Sequence, residues 1–437
     1  MSSEKTRIVV VGGGAGGLEL IVNLCNLAKK MPLEIILVDK QLKHLWKPLL
    51  HEVASGTFSA YQDEIDYISY AYQKGFNFVY GELQEINQES QSVTVGLYSP
   101  ESQNFPYSER KIPFDILILA TGSQVNDFNI PGVREHCLLL DDLAKAEFFH
   151  QILIDKIILK NQSGNKDTIK ITIVGGGATG VELAAELAYT FSRAFKYLRK
   201  GLDSAENPLF QITLIDAASR LLNMMPKRIS KSVRDYLIKH NIKVLTDTKI
   251  TKVTEKGLET EDRGFIESSI IVWAAGIKAN NLVLSHNLEL NKINQFIVSD
   301  TLQTTVANNI FAFGDCACCP QVDKKGKTNY VPPRAQAAHQ QAKMLAQSIK
   351  NYINNKPLPS YTYTDHGSLI SLSHNNAVGV LMSRVAKSFF IEGLFARLTY
   401  WLLYKKHLLI LKGARFVFLS SLIDLLMRKR KPEIKLH

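Results

Sequence analysis

The sequence predicts an α/β protein made of two doubly wound, parallel-sheet domains and a basic, amphipathic C-terminal region. Three observations lead there. Residues 7–20, RIVVVGGGAGGLEL, recur as residues 170–183, KITIVGGGATGVEL, at an offset of 163. After each copy comes a second strand-like run ending in an aspartate, Glu34–Val38 before Asp39 and Ile212–Ile215 before Asp216. The formal charge of +11 is gathered at one end: from Arg384 onward there are 12 Lys/Arg against 3 Asp/Glu.

Each copy of the repeat has an aliphatic, β-branched run without polar alternation, then glycines, then helix formers. That pattern reads as a strand buried on both faces, a tight turn and a helix start. Both halves close on a further strand, Ile116–Leu119 running into Ala120-Thr121-Gly122 and Ile270–Trp273 into Ala274-Ala275-Gly276. Between these elements Tyr98–Pro113 reads as a polar hairpin excursion and Asn161–Asp167 as a linker. Gly201–Pro208 reads as the end of a long helix running from Val181 to about Arg199, and Asp323–Thr328 as an exposed turn. The expected division is residues 1–122 with 291–345 as one domain, 123–290 as the second, and 346–437 as the C-terminal region.

Size and composition agree with this. A chain of 437 residues exceeds what one core serves, and 46% apolar with 21% charged residues is ordinary for a globular protein. The first 383 residues are nearly neutral, so the basicity does not mark the body as a nucleic-acid binder. Five cysteines (Cys25, Cys137, Cys316, Cys318, Cys319) make no disulfide framework, which implies a reducing compartment. The N-terminal apolar run enters a glycine turn at once, leaving no room for a signal peptide. No apolar stretch reaches the roughly 20 residues that cross a bilayer.

The glycine spacing carries a mechanism. Gly12 permits the tight turn, Gly14 lets backbone approach a pyrophosphate, and Gly17 lets helix and strand pack closely; Asp39 follows 22 residues after Gly17. The helix start, with Ala15 and Gly16, then faces phosphate, and the acid accepts ribose hydroxyls. Gly175, Gly177, Ala178, Thr179, Gly180 and Asp216 repeat the arrangement, with the acid 36 residues after the last glycine. An acid at the second ribose favours NADH, since a carboxylate repels the extra phosphate of NADPH; Arg220, four residues on, pulls the other way. A third element, IFAFGD at 310–315, is a short apolar strand ending in Gly314-Asp315. An acceptor-only carboxylate there suits the hydroxyls of a ribityl chain, and a helix is expected to begin just after it.

In this order, GGGAGG, ATG, GGGATGVE, WAAG and FAFGD resemble the two-dinucleotide-binding-domain flavoproteins, with Rossmann-like domains. Within them HLWKPLLHEVASG (44–56), PPRAQAAHQQA (332–342) and the ending RKRKPEIKLH resemble the type II NADH dehydrogenases, single-subunit NADH:quinone oxidoreductases that pump no protons. The resemblance covers nearly the whole chain. It implies that the first domain binds FAD, through Gly12, Gly14, Ala15, Gly16, Gly17, Asp39, Lys40, Lys47, the backbone near Leu83, Ala120, Thr121, Gly122, Gly314, Asp315 and Ala335. The second would bind NADH, through its glycine turn, Asp216, Ala275 and Gly276. Glu182 is implied to stand near nicotinamide and flavin, whereas by itself it is a helix-start acid favoured by the macrodipole. Gln336 and Gln340 match the A-Q-x-A-x-Q segment at the quinone end of the flavin; without the family they are two amides on one helix face. Hydride would pass from NADH to FAD and two electrons on to a membrane quinone, ubiquinone or menaquinone.

The cysteines separate relatives. Disulfide reductases of this superfamily need a redox pair beside the flavin, and residues 40–56 hold no cysteine. Cys316-Ala317-Cys318-Cys319 contains C-x2-C without the second ligand pair of a zinc site, so no metal is expected. A sulfide:quinone oxidoreductase is the nearer rival, but it uses well-separated cysteines, one late in the chain, and none follows Cys319. A flavin-bearing binding protein whose basic tail docks nucleic acid, like apoptosis-inducing-factor-like relatives, is the alternative from another class.

From Leu394 the chain reads LFARLTYWLLYKKHLLILKGARFVFLSSLIDLLMRKRK. At 100° per residue Phe416, Phe418, Leu419, Leu422, Ile423, Leu425, Leu426 and Met427 share one side, Ser420, Ser421, Asp424 and Arg428 the other, with Val417 the exception. Tyr400, Trp401 and Tyr404 supply interfacial aromatics, and Lys405, Lys406 and 428–431 supply charge. That suits a helix lying in the headgroup plane of an anionic bilayer, with long apolar runs arguing against nucleic acid. The expectation is a peripheral protein on the cytoplasmic face of the inner (plasma) membrane, a homodimer being left open.

Overall fold

The computed structural model describes residues 5–58, 64–96, 108–163, 167–194, 209–280, 288–323, 325–373, 376–382 and 389–427. In the first half, β1 (Thr6–Val11) runs into α1 (Ala15–Ala28), and β2 (Leu33–Asp39), a short helix α2 (Leu50–Ala54), β3 (Asn77–Tyr80) and β4 (Ile116–Leu119) follow. In the second half come β5 (Leu138–Leu139), α3 (Leu143–Ser163), β6 (Ile169–Val174), α4 (Ala178–Ala194), β7 (Phe210–Ile215), β8 (Ile242–Leu245) and β9 (Ile270–Trp273). β10 (Ile310–Ala312) then returns to the first sheet, pairing Ile310 with Leu117 of β4.

Two five-stranded parallel sheets result, ordered β10-β4-β1-β2-β3 and β5-β9-β6-β7-β8. The central strands are sealed between helices: Ile8, Val9, Val10 and Leu37 in one sheet, and Ile171, Ile173 and Leu214 in the other, are fully buried. Burial on both faces explains their unbroken aliphatic runs. Each half also carries a three-stranded antiparallel meander, 82–87/92–96/109–113 and 250–254/257–260/264–267. The halves are stitched by an antiparallel pair, Ser123–Val125 against Ile277–Ala279.

After β10 the chain forms α5 (Ala335–Ile353), a meander of β11 (Gly367–Ser371), β12 (Ala377–Leu381) and β13 (Phe389–Glu392), and two helices, α6 (Gly393–Lys412) and α7 (Ala414–Met427). α6 inserts one face, Ala396, Tyr400, Tyr404, His407, Leu408 and Leu411, into the body, where Trp46 and Leu49 meet it. Among the described residues no helix is long and apolar enough to cross a membrane.

Two local expectations change. Asn161–Ser163 continue α3 rather than opening a linker. Gly314–Cys316 form one turn of 3-10 helix, and Ala317–Cys318 pair in parallel with Phe296–Ile297, so no α-helix follows Gly-Asp; it begins at Ala335. Of the expected excursion, Glu109–Pro113 is the meander's third strand, and 98–107 lies outside the described residues. So do Gly201–Pro208 and residues 195–199, the expected end of the long helix.

Candidate functional site

The two glycine turns are built alike. Gly12 N–H donates to Val38 O and Gly175 N–H to Ile215 O, both at 2.8 Å. Gly12 and Gly175 have φ of +103° and +117°, which a side chain would strain, and a Cβ on either would strike the backbone of Ala120 or Ala274. Gly17 and Gly180 pass so close to the preceding turn that a Cβ would lie 1.9 Å from Gly12 O or Gly175 O. Gly14 and Gly177 are different: a Cβ there meets nothing within 4 Å, and both positions are exposed. Each turn is thus jammed against its own sheet and open on the side where a pyrophosphate would lie. Neither helix has an acid in its first turn, and the α1 N-cap, Gly14, has no side chain to satisfy the orphan amides. The residues fit two dinucleotides.

The acids hold equivalent positions. Asp39 Oδ2 accepts Gly13 N–H at 2.6 Å and Oδ1 accepts Gln41 N–H at 2.7 Å. Asp216 Oδ2 accepts Gly176 N–H and Oδ1 accepts Ala218 N–H at 2.6 Å. A carboxylate has about four lone-pair sites, so each retains acceptor capacity for ribose hydroxyls. Arg220 does not oppose this: its guanidinium donates to Met225 O at 2.8 Å, Ser230 Oγ at 2.6 Å and Leu222 O at 3.3 Å.

Around the first turn the structure joins several predicted residues. Lys47 Nζ donates to Ser123 O at 3.0 Å, and Ser123 Oγ to Asp315 Oδ2 at 2.8 Å. Gly314 N–H donates to Gln341 Oε1 at 2.8 Å, tying the Gly-Asp turn to α5. Lys40 pairs with Glu82 beside the buried Leu83. Thr121 Oγ1 is buried in the same place, against the Cys316 thiol. Gly16 is needed where Phe313 and Ala338 press on α1, which brings α5 and Ala335 to the first turn. Around the second turn Ala178 and Thr179 are exposed beside Gly177, and Ala275-Gly276 follow β9, where Phe128 packs on Gly276.

Glu182 lies in a buried cluster that sequence reasoning did not foresee. Its Oε1 accepts Ser371 N–H at 2.9 Å, and its Oε2 is 3.6 Å from His51 Nδ1. Glu52 and Glu186 are buried beside it, and Arg397 of α6 donates to Glu52 at 3.0 Å and to Ser371 Oγ at 2.8 Å. Three carboxyls share one guanidinium. Burial raises Glu182 to about 8 and pushes Glu186 up as well, while it lowers His51 to about 4. Glu182 is therefore mostly neutral at pH 7. The Glu186 spacing from Glu182 was a readable signal; His51 and Glu52 stood only as part of the 44–56 segment, and Arg397 had no signal.

Gln336 and Gln340 are fully engaged. Gln336 Nε2 donates to Asp365 Oδ1 and Gly367 O at 3.2 and 3.1 Å, and its Oε1 accepts His366 N–H at 3.1 Å. Gln340 donates to Thr364 O at 2.8 Å and accepts Thr364 N–H at 3.0 Å. Together they clamp 364–367 onto α5. All five cysteines are unpaired and buried, with burial raising Cys25 to about 11 and Cys137 and Cys319 to about 12. The Cys25, Cys137 and Cys319 thiols are thereby held protonated and are poor nucleophiles. Among the described residues none cluster as metal ligands.

The pyridine nucleotide-disulphide oxidoreductase family matches residues 6–342. The chain is 39% identical to the type II NADH:quinone oxidoreductase of Haemophilus influenzae, covering 99% of this chain and 100% of that one. Among solved structures, NDH2 from Plasmodium falciparum in complex with NADH is similar with a TM-score of 0.83 at 20% identity, covering 99% and 100% of the two chains. The sulfide:quinone oxidoreductase of Aquifex aeolicus is similar with a TM-score of 0.72 at 19% identity, covering 96% and 95%. At such identities the likeness is one of fold, and fold does not choose between chemistries.

Proposed function

The chain belongs to the pyridine nucleotide-disulphide oxidoreductase family and, within it, to the type II NADH:quinone oxidoreductases, and from that membership we propose how its residues divide the work. The protein oxidises NADH and reduces quinone by way of FAD, without pumping protons. Bound FAD supplies the redox chemistry, taking two electrons from NADH as hydride and returning them to the quinone.

In this reading residues 1–122 and 291–345 hold FAD, 123–290 hold NADH, and 346–437 face the quinone and the membrane. The first glycine turn and the α1 N-terminus cradle the pyrophosphate of FAD; Asp39 takes ribose hydroxyls, and Lys47, Ser123 and Asp315 order the flavin end. The second turn and Asp216 seat NADH. Glu182 offers a neutral carboxyl at the nicotinamide end, its proton on the oxygen that does not accept Ser371 N–H. Gln336 and Gln340 shape the quinone end by fixing 364–367. Orientation, with reacting atoms roughly 3–3.5 Å apart, is the protein's main contribution.

We also propose peripheral attachment to the cytoplasmic membrane face through α6 and α7. Leu394, Phe395, Leu398 and Leu402 of α6 and Phe418, Leu419, Leu422, Ile423 and Leu426 of α7 are exposed, while Ser420 and Ser421 turn inward and are half-buried. A helix with leucines out and serines in is inverted for water and suited to a bilayer interface.

One observation carries the reading of the core reaction: two glycine turns, each gripping its own carboxylate through the same backbone N–H. Its test is anaerobic stopped-flow mixing of holoprotein with NADH, then quinone, followed by flavin absorbance. Bleaching by NADH and recovery with quinone are expected; absence of bleaching overturns it.

A further inference from the structure

The two turns differ in one respect. In the second, Gly176 O accepts a backbone donor close by, Leu222 N–H at 2.8 Å. In the first, Gly13 O accepts two side chains, Tyr67 Oη at 2.6 Å and His44 Nδ1 at 3.0 Å. His44 does not end the chain: its Nε2 lies 3.0 Å from Nε2 of His407, which stands on α6, 363 residues further on. Both imidazoles are buried, and the indole of Trp46 stacks on His407 with ring centroids 5.9 Å apart.

The proton positions follow from the acceptor at the start. A carbonyl cannot donate, so His44 Nδ1 carries the hydrogen and its neutral Nε2 is an acceptor. His407 Nε2 must then donate to it, which leaves His407 Nδ1 as a lone pair; that atom is buried with no partner among the described residues. Burial lowers His44 to about 4 and His407 to about 2, so both are neutral at pH 7, as this directional chain requires.

The carbonyl so held belongs to the peptide between Gly13 and Gly14. In a planar trans peptide C=O and N–H point in opposite directions, so clamping the Gly13 carbonyl inward aims Gly14 N–H outward, to the open side of the turn. Between two glycines no side chain resists rotation of that peptide, and the clamp has to come from elsewhere. We propose that His407 is a positioning residue for the FAD pyrophosphate, acting through His44 on the Gly13–Gly14 peptide, so that FAD retention depends on the seating of α6. The proposal rests on the reading of the first turn as the seat of FAD. It ties the helix that faces the membrane to the cofactor by a donor chain rather than by general packing.

The test measures FAD dissociation from purified holoprotein, by recovery of flavin fluorescence on dilution, with Tm recorded for each variant. His407→Leu removes the donor to His44 Nε2 and so the contact that fixes the imidazole against Gly13 O; dissociation should speed up about tenfold, the scale of one buried hydrogen bond. His407→Gln keeps an N–H donor and should restore retention close to wild type, which a packing role would not predict. The double variant His44→Leu/His407→Leu should match His44→Leu alone. Unchanged retention in His407→Leu, no rescue by Gln, or additive effects in the double variant overturn the proposal. Gly14→Val tests the underlying reading separately, since a Cβ there meets no protein atom within 4 Å and lies on the open side of the turn. FAD held at full stoichiometry by that variant means the first turn is not its seat; FAD lost there but retained unchanged by His407→Leu refutes the histidine chain alone.

Discussion

Glu182 on α4 and Ser371 on β11 meet at 2.9 Å, carboxyl oxygen accepting backbone N–H, across 189 residues of sequence. The contact brings the second nucleotide turn under the C-terminal meander, and the Glu52–Arg397 pair closes the same cluster from α2 and α6. Burying three carboxyls against one guanidinium leaves charge uncompensated, and protonation is the least costly relief.

The first prediction follows from that proton. Burial raises Glu182 from the ordinary 4.5 to about 8. A raised folded-state value means that its contribution to stability is fully present below 4.5 and is lost as pH rises through about 8. Glu182→Gln keeps an oxygen for Ser371 N–H and cannot ionise. Its Tm should exceed that of wild type by several degrees at pH 9, with the difference closing by pH 5. Parallel Tm curves for both proteins across that range would mean an ordinary, ionised carboxylate.

The second concerns nucleotide choice. With its guanidinium held by Met225 O and Ser230 Oγ, Arg220 is committed to its own loop rather than to a phosphate at the second ribose site. Asp216→Ala should raise KM for NADH by about tenfold, as for loss of a charged hydrogen bond, and narrow the preference over NADPH. Asp216→Asn, which keeps one acceptor for the turn, should fall between. Equal kcat/KM for NADH and NADPH in wild type contradicts the assignment.

The third separates the two half-reactions. Because Gln340 makes both of its hydrogen bonds with Thr364, Gln340→Ala frees the segment that Gln336 also grips. The quinone half-reaction should slow several-fold while the NADH half-reaction keeps its rate, and amide exchange at 364–367 should rise. Equal slowing of both phases in stopped flow removes the division of labour.

The legible parts of this protein are local. β4 and β9 begin and end where their aliphatic runs do, because strands buried on both faces leave no polar residue to blur the edge. Gly12–Gly17 was readable because few chemistries need glycine at those positions. Asn161–Ser163 mislead because their polar side chains suit a linker, whereas the α3 backbone carries on through them. Cys316–Cys319 misled because a short buried run serves strand or helix equally; the parallel partner Phe296–Ile297 decides it, and that partner is distant in sequence. The segment 44–56 stood out as a motif, but nothing in it pointed from His44 to His407 or from Glu52 to Arg397. Side chains more than 340 residues apart become neighbours only when α6 docks.

The last prediction concerns the membrane. The sequence invites a cut at Arg384 to release a soluble body, but α6 buries Tyr400, Tyr404, His407, Leu408 and Leu411, so that cut would open the core as well. Substituting the outward face alone isolates attachment from folding. Phe418 and Leu426 are 69% and 70% exposed, and Leu419, Leu422 and Ile423 stand beside them. Replacing all five with serine removes little packing from the body, so Tm should hold within a few degrees. Inserting such side chains into an interface contributes roughly 1 kcal/mol or more each, so the variant should move from vesicle pellet to supernatant. Wild type should stay on the vesicles in high salt, which screens charge but leaves apolar burial untouched. Deleting Arg428–Lys431, which lie outside the described residues, should weaken binding to anionic vesicles by ~1 kcal/mol per basic residue and matter little on neutral ones. Retention of the serine variant on vesicles would place the attachment elsewhere, and complete release of wild type by salt would reduce it to charge alone. Either result would also leave a lipid-soluble quinone without an entry beside α6.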